Sequence, residues 1–395
     1  MQFMNLQFPH TENVHYITLP EARAVLVTGS TGFLGAYLLR ELMGATDADI
    51  HCLVRAKDKA AGLARITDNL KFYALETGDV AERINIICGD VGEPNLGMRD
   101  DAWLALADQV DIVIHGAARM NWIESFKNLE PVNVGGTANI IDFVNIGKRK
   151  TLHFVSTTGI YMSMDVPELG YLNKDQPLEK YGRHVIGYLK SKWVAENNVR
   201  TAIASGVPGT VHRPSFILGG TGSGFIPEGD LTKLFLKACI EAKAVPDLKL
   251  FIDAVPVDVV ARAIVNVASQ RGQNGRAYNL SHPAEFNVSQ LSQISRDPMV
   301  RFELLSLEAW LDRLRDLPAS EAIRIMLLFG WPTPVAPDGL ITYFSNVDLD
   351  PANVDIDEAL EGSGMAMPVH SPETLDLYLA NILAQPVLNV ENPTA

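Results

Sequence analysis

The stretch VLVTGSTGFLG, Val25 to Gly35, decides the fold. It opens as an apolar, β-branched run, AVLVT at 24–28, which reads as a short strand. Gly29, Gly32 and Gly35 follow at once, and AYLLRELM then carries a helical pattern. Glycines here permit a tight turn and let backbone approach a pyrophosphate. The helix N-terminus behind them offers unpaired N–H groups and the positive end of a dipole. The spacing is G-x-x-G-x-x-G rather than G-x-G-x-x-G. The strand before the glycines and the helix after them give the motif its weight as a dinucleotide site.

Outward from this turn the pattern repeats. Further strands read at DIHCLVR (49–55), INIICGD (84–90), DIVIHGAA (111–118), TLHFVSTT (151–158) and TVHRPSFILG (210–219). Helical patterns separate most of them, and apolar strands alternating with helices imply a parallel sheet covered on both faces. VPVDVVARAIVNVASQ (255–270) reads as one more helix and RAYNLS (276–281) as one more strand. The expectation is an α/β, Rossmann-like doubly wound parallel sheet over 21–285, with 220–250 contributing to the substrate lip and 219–224 a glycine-rich segment there. Residues 1–20 read as an N-terminal tail or linker, and 286–395 as a smaller, mostly helical C-terminal substrate domain. In the latter, LEAWLDRLRDL, EAIRIMLLFGW and SPETLDLYLANILAQ are helical, the last with Ser371 as N-cap and Pro372 at the first position.

The end of the second strand selects the cofactor. An acidic residue there would accept from the ribose 2′-OH of NAD. This chain has Arg55, with Lys57 and Arg65 nearby. A guanidinium suits a 2′-phosphate, so the expected cofactor is NADPH. Asp90 ends the third strand, where it or its neighbouring backbone at Val91 meets the adenine. Gly116, Ala117 and Ala118 end the fourth, letting backbone pass close to the cofactor. His115 reads as a satisfied core histidine.

Composition excludes several classes. The net charge of −14 argues against nucleic acid, which needs a concentrated basic face. The basic run KRK at 148–150 reads as a solvated helix end or loop. Three cysteines, Cys52, Cys88 and Cys239, are far apart and form neither a disulfide framework nor a metal motif, which fits a reducing cytoplasm. The histidines lack metal-ligand spacing, so no metal is expected. The N-terminus lacks a signal-peptide pattern, and no apolar run of about 18 residues suggests a membrane span.

The fifth strand ends in VSTTGIY, and strand C-termini in an open α/β sheet face the ligand crevice. That puts Ser156, Thr157 and Thr158 near the nicotinamide. About thirty residues on, GYLKSKWVAE places Tyr188 and Lys192 one turn apart on one helix face. Ala195, Val199 and Ala202 can pack that helix on the sheet.

The glycine motif, the Ser-Thr pair and Y-x-x-x-K together resemble the extended short-chain dehydrogenase/reductases. TGSTGFLGAYLLREL, CLVRA, GYLKSKWVAE and HRPSFILGGTGSG are similar to the thioester reductase domains within them. Such domains end nonribosomal peptide synthetases and polyketide synthases, and form the reductase part of carboxylic acid reductases. The likeness runs from about 20 to 285 and is looser beyond. It implies a catalytic triad of Thr157, Tyr188 and Lys192, with the adjacent Thr158 as the alternative hydroxyl. It implies cofactor contacts around the glycine turn at Thr28, Gly29, Thr31 and Gly32, continuing through Phe33, Leu34 and Gly35. Asn133, Lys192, Pro214 and Ser215 are the further cofactor positions it implies. Leu189 and Lys190 depart from the family, which commonly has a small residue and Gln there. Lys190, at i+2, should face away from Tyr188.

The implied reaction is NADPH-dependent reductive release of an acyl or peptidyl thioester, carried on the phosphopantetheine of a carrier protein. The product is an aldehyde, with the alcohol as a second stage. Tyr188 is the expected general acid, Thr157 a hydrogen-bond donor, and Lys192 the cation that lowers the phenol pKa and holds the nicotinamide ribose. A monomer or a megasynthase domain is expected. The rivals are a nucleotide-sugar epimerase or dehydratase, a hydroxysteroid-type dehydrogenase, and a non-catalytic NADP(H) sensor. The epimerase class usually keeps an acid where this chain has Arg55.

Overall fold

The computed structural model describes residues 15–76, 78, 80–163, 178, 182–248, 251–283, 286–294, 301–332, 336, 338–345, 354–369 and 371–384. They fall into two compact units. One gathers those within 1–215, 257–283 and 349–367, the other those within 216–256, 284–348 and 368–395.

The first unit is built on a parallel sheet of β1 (Ala24–Thr28), β2 (Asp49–Val54), β3 (Ile84–Cys88), β4 (Ile112–His115), β5 (Thr151–Val155), β6 (Gly209–Pro214) and β7 (Ala277–Leu280). Their order across the sheet is β7-β6-β5-β4-β1-β2-β3. Order reverses between β1 and β4, which pair in parallel from Val25↔Ile112 to Thr28↔His115. A ligand crevice opens at such a switch point, outside the strand C-termini. β1, β4 and β5 are buried along their whole length, as a sheet covered on both faces requires.

Five helices matter for the site: α1 (Phe33–Ala45), α2 (Lys59–Phe72), α3 (Asp100–Gln109), α4 (Gly136–Asn145) and α5 (Gly187–Ala204). Ala195 and Val199 of α5 are fully buried in one cluster with Phe143 and Val144 of α4 and Leu152 and Phe154 of β5, and Ala202 packs at its margin. Each fully buried Val, Leu or Phe there contributes about 1.5–3 kcal/mol. That anchors the C-terminal half of α5 and fixes where its first turns point.

Of the expected tail at 1–20, residues 15–20 are described and fold with the first unit. Leu19 is fully buried and starts a short 3-10 turn. Thr18 caps that turn, its N–H and Oγ1 donating to Glu21 at 3.0 and 2.7 Å. Ile17 N donates to Thr151 Oγ1 of β5 at 2.8 Å. Residues 1–14 lie outside the described ones.

The expected boundary at 285 also differs from the division of the chain. Residues 354–361 return to the first unit as a clamp on edge strand β7. Asn279 N donates to Asp355 Oδ2, and Asp355 N to the Asn279 carbonyl, both at 2.9 Å. Asn266, on the helix Val257–Ser269, donates to the carbonyls of Ala359 and Glu361. Edge strands expose unpaired backbone groups, and this segment covers some of them.

The basic run at 148–150 is solvated at Arg149 but structural at Lys150. Lys150 is fully buried, and its Nζ donates to the carbonyls of Ile146 and Lys148 just beyond α4. A cation there satisfies orphan carbonyls and complements the helix dipole. Two buried histidines face each other across β5 and β6, with Thr210 Oγ1 2.7 Å from His153 Nδ1 and 3.0 Å from His212 Nε2. Burial pushes both far below the ordinary imidazole range, so the pair is neutral at pH 7.

The second unit is largely helical. Its helices include Leu231–Ala242, Leu307–Arg315, Glu321–Gly330 and Pro372–Ala384. The last is capped as expected, Thr374 N donating to Ser371 Oγ at 3.3 Å. Among the described residues, no helix is long and apolar enough to cross a membrane.

Candidate active site

The glycine turn between β1 and α1 is shaped for close approach. Gly29 has φ +78°, and a Cβ placed on it would lie 2.8 Å from Ala117 N and from the Gly116 carbonyl carbon. A Cβ on Gly35 would lie 2.1 Å from the Gly29 carbonyl oxygen. No side chain fits at either position without moving backbone. The β1–α1 turn and the end of β4 therefore sit against each other, leaving exposed N–H groups at the start of α1 as an anion cradle. The Phe33 ring turns into an aromatic cluster with Tyr37 and Tyr73, at centroid distances of 5.8 and 5.1 Å.

Beneath the cradle runs a chain of buried hydroxyls and one imidazole. Ala117 N donates to Thr28 Oγ1 at 3.1 Å, and Thr28 Oγ1 lies 2.7 Å from His115 Nδ1. His115 Nε2 lies 3.2 Å from Thr137 Oγ1, which donates to the Asn133 carbonyl at 2.7 Å. With the Thr137 proton spent on Asn133, its oxygen accepts, so His115 carries its proton on Nε2 and takes one from Thr28 on Nδ1. Burial, with Lys192 adding to it, lowers His115 to about 3. His115 is thus a neutral core bridge.

At the end of β2, Arg55 and Arg65 are both exposed. The Arg65 guanidinium donates to the Arg55 backbone carbonyl, which brings the two side chains to one strand end. Asn69, one turn after Arg65 on α2, donates to the Gly32 carbonyl at 3.0 Å and ties this corner to the glycine turn. Asp90 turns its carboxylate back to Gly92 N at 2.9 Å. The Val91 carbonyl accepts from Asn139 at 2.7 Å.

At the end of β5, Lys192 is 3% exposed. Its Nζ donates to the Val155 carbonyl at 2.7 Å and lies 4.3 Å from the Phe154 ring centroid. Burial lowers its ammonium to about 8, while Glu196 one turn later opposes the fall. Tyr188 keeps part of its surface open, with most of its ring walled by protein. That desolvation pushes its phenol up to about 12. The direction is opposite to the lowering expected from Lys192, whose ammonium is committed to Val155 and Phe154.

The two candidate hydroxyls differ in setting. Thr157 is partly exposed, and its Oγ1 accepts from Gly159 N at 3.1 Å, a bond that leaves its O–H unspent. Thr158 is buried. Ser156 Oγ beside them is enclosed and has no hydrogen-bond partner among the described residues. Lys190 points away from Tyr188, its Nζ 4.9 Å from the Phe126 ring centroid. Pro214 ends β6, and Ser215 N donates to the Leu280 carbonyl at 3.1 Å.

Asn133, expected among the cofactor contacts, spends its amide on protein. Its Oδ1 accepts from Arg119 N at 2.7 Å, and its Nδ2 donates to the Arg119 carbonyl at 3.0 Å and to Ser191 Oγ at 2.8 Å. Both amide protons are used, so the side chain braces the 119 loop and α5 instead of donating to a ligand. Sequence reading also missed Trp122, whose ring meets that of Tyr188 edge-on at 5.9 Å. It missed the buried pair of Glu196 and Arg213, both fully enclosed, with Arg213 Nε 3.0 Å from Glu196 Oε1. Arg213 also donates to Tyr161 Oη. The stretch 116–125 has no periodicity to mark it, and Glu196 and Arg213 are 17 positions apart.

The orphaned Ser156 hydroxyl, the cradle that Cβ atoms would fill and the arginine corner fit a nicotinamide dinucleotide.

Comparison with known proteins agrees. Residues 27–264 match an NAD-binding family described as male sterility protein. The terminal R domain from the myxalamid PKS-NRPS biosynthetic pathway superposes with a TM-score of 0.82 at 32% identity, covering 93% of this chain and 94% of that one. A linear gramicidin synthase from Brevibacillus parabrevis is 32% identical over 294 residues, 74% of this chain and 6% of that protein. L-2-aminoadipate reductase of Saccharomyces cerevisiae is 31% identical over 293 residues, 71% of this chain and 20% of that protein. The chain thus spans a small part of these two longer relatives.

Proposed function

The chain belongs to the NAD-binding family described as male sterility protein, and from that membership we propose that it is an NADPH-dependent reductase of acyl or peptidyl thioesters. The cofactor is a nicotinamide dinucleotide; the choice of NADPH rests on Arg55 and Arg65 at the end of β2. The reaction class rests on the names of the relatives, an R domain of a PKS-NRPS pathway and an aminoadipate reductase. The observation that carries the site is the start of α5, which sets Tyr188 beside Trp122 and Lys192 on the last carbonyl of β5.

When bound, a nicotinamide dinucleotide would supply hydride for the thioester carbonyl carbon. Negative charge then develops on the carbonyl oxygen. Tyr188, with its phenol pushed up to about 12, is protonated at neutral pH, the form a reduction needs in its general acid. Thr157 donates a hydrogen bond to the same oxygen. Lys192 contributes positive charge and holds the nicotinamide ribose. The resulting hemithioacetal breaks its C–S bond to give aldehyde and thiol, and a second hydride with a second proton would give the alcohol. The thiol is that of a carrier-protein phosphopantetheine, and the carrier protein is the proposed partner.

The test mixes the protein with NADPH and an acyl thioester on carrier protein or coenzyme A, follows NADPH loss, and identifies products by mass spectrometry. Aldehyde or alcohol should form, and Tyr188→Phe should lower turnover about 10²–10⁴-fold, the usual weight of a general acid. NADPH should still bind the variant. Full turnover in Tyr188→Phe removes the phenol from the mechanism.

A further inference from the structure

The loop between β4 and the short helix Phe126–Glu130 is braced by several of its polar groups. Arg119 is held through both backbone groups by the Asn133 amide, which also reaches Ser191 Oγ; that hydroxyl donates to the Tyr188 carbonyl at 2.7 Å. The Arg119 guanidinium pairs with Glu124 at 2.7 Å. Asn121 Oδ1 accepts from Ile123 N at 2.8 Å and from Glu124 N at 2.9 Å. The loop also presses on the first residue of α5, since a Cβ on Gly187 would lie 2.4 Å from the Glu124 carbonyl oxygen and 2.5 Å from Phe126 N.

Beside the half-exposed Arg119, this frame presents apolar side chains outward. Met120 is 50% exposed and Ile123 60%, and Trp122 between them lies against the Tyr188 ring. A braced loop has little freedom to fold such side chains away, and exposed apolar side chains grouped beside a reactive group mark a ligand surface. The loop's own charges, Arg119 and Glu124, pair with each other.

We propose that Met120, Trp122 and Ile123 form the wall that receives the carbon chain next to the thioester carbonyl, so that the substrate carries an apolar acyl group, aliphatic or aromatic in its first several carbons. This rests on the reading that Tyr188 addresses that carbonyl. Discrimination by such a wall is graded. A fully buried methylene is worth about 0.8 kcal/mol, roughly fourfold in affinity, and one covered on a single side about twofold.

The test uses the full chain with NADP⁺ and S-alkyl phosphopantetheine thioethers, which cannot be reduced, from propyl to octyl. Titration calorimetry should show Kd falling about two- to fourfold per added methylene. Ile123→Asp and Met120→Ser should flatten that dependence while melting temperature and NADP⁺ affinity stay as in the parent, since both side chains are half exposed. Three results overturn the proposal: Kd independent of chain length, a dependence that survives both substitutions, or tighter binding of an ω-carboxylate thioether than of its alkyl counterpart. Reduction of hexanoyl-phosphopantetheine is scored separately. Graded binding without reduction removes the reductase reading and leaves the wall.

Discussion

Lys192 Nζ stands 2.7 Å from the carbonyl oxygen of Val155, the last residue of β5, and donates to it. The bond spans 37 residues of sequence and joins the face of α5 that carries Tyr188 to the strand end that carries Thr157. It also places a cation in an enclosed spot, where water does little to keep it charged.

The consequence is a pH limit. Burial lowers Lys192 to about 8, so its charge is lost as pH rises through that value. For NADPH, kcat/KM reports groups of the free enzyme. It should fall about tenfold per pH unit above pH 8, a slope of one proton. Tyr188, at about 12, stays protonated across this range and adds no second limb. A profile flat to pH 10 shows that the reaction does not need the charged lysine.

Arg55 and Arg65 should set the choice between cofactors. A charge-assisted hydrogen bond contributes about 1.5–3 kcal/mol. Arg55→Ala or Arg65→Ala should therefore raise KM for NADPH about 10- to 100-fold while leaving KM for NADH within about twofold, an RT-scale conversion of that energy. Equal losses with both cofactors would show that the arginines support the fold of the corner rather than the 2′-phosphate.

Glu196 and Arg213 should be coupled. Removing one partner of a fully buried pair strands the other, at a cost of about 3–5 kcal/mol. Arg213→Met and Glu196→Gln should each lower stability by that order in urea titrations, and the double variant should lose clearly less than the sum. Additive losses would mean that the packing of each side chain, not their pairing, is what counts.

Acid should unfold the chain through its neutral histidines. The folded pKa values of His115, His153 and His212 lie below the unfolded value of 6.5. Above pH 6.5 both states are neutral at these sites and nothing is lost. Below it the unfolded state takes up protons that the folded state refuses, so stability falls with pH toward the folded values. Between pH 6.5 and 5.5 each histidine contributes about 1 kcal/mol, and the three together about 3. Urea titrations at pH 6.5 and 5.5 should show a drop of that order, smaller by about one histidine's share in His115→Asn. An unchanged drop in that variant would point to carboxylates as the acid-sensitive groups.

The sheet was legible because its signals are local. Short apolar strands, the glycine turn and the Y-x-x-x-K helix each lie within about a dozen residues, and strand C-termini of an α/β sheet share one crevice. Arg55 was legible because its position relative to the glycine turn is fixed by the β-α-β unit. Trp122, the bracing role of Asn133, and the pair of Glu196 with Arg213 were not, because each depends on which loop or strand lies opposite. The basic run at 148–150 misled in the same way at Lys150. Its charge suggested solvent, yet Lys150 is buried, its ammonium donating to the carbonyls of Ile146 and Lys148 just beyond α4. The Lys192 effect on Tyr188 also failed from spacing alone. One turn of helix puts the two residues on the same face, but the ammonium bends to Val155.

The clamp of 354–361 on β7 bears on gene surgery. The first unit is not a prefix of the chain, because its edge is completed by residues that follow most of the second unit. A truncation after 285 keeps every residue assigned here to the cofactor and the triad, yet deletes Asp355, which holds Asn279 on the strand beside Arg213. A transplantable module must therefore extend through 367, carrying the intervening helices with it, and a shorter graft would begin life with a frayed sheet edge next to its buried ion pair.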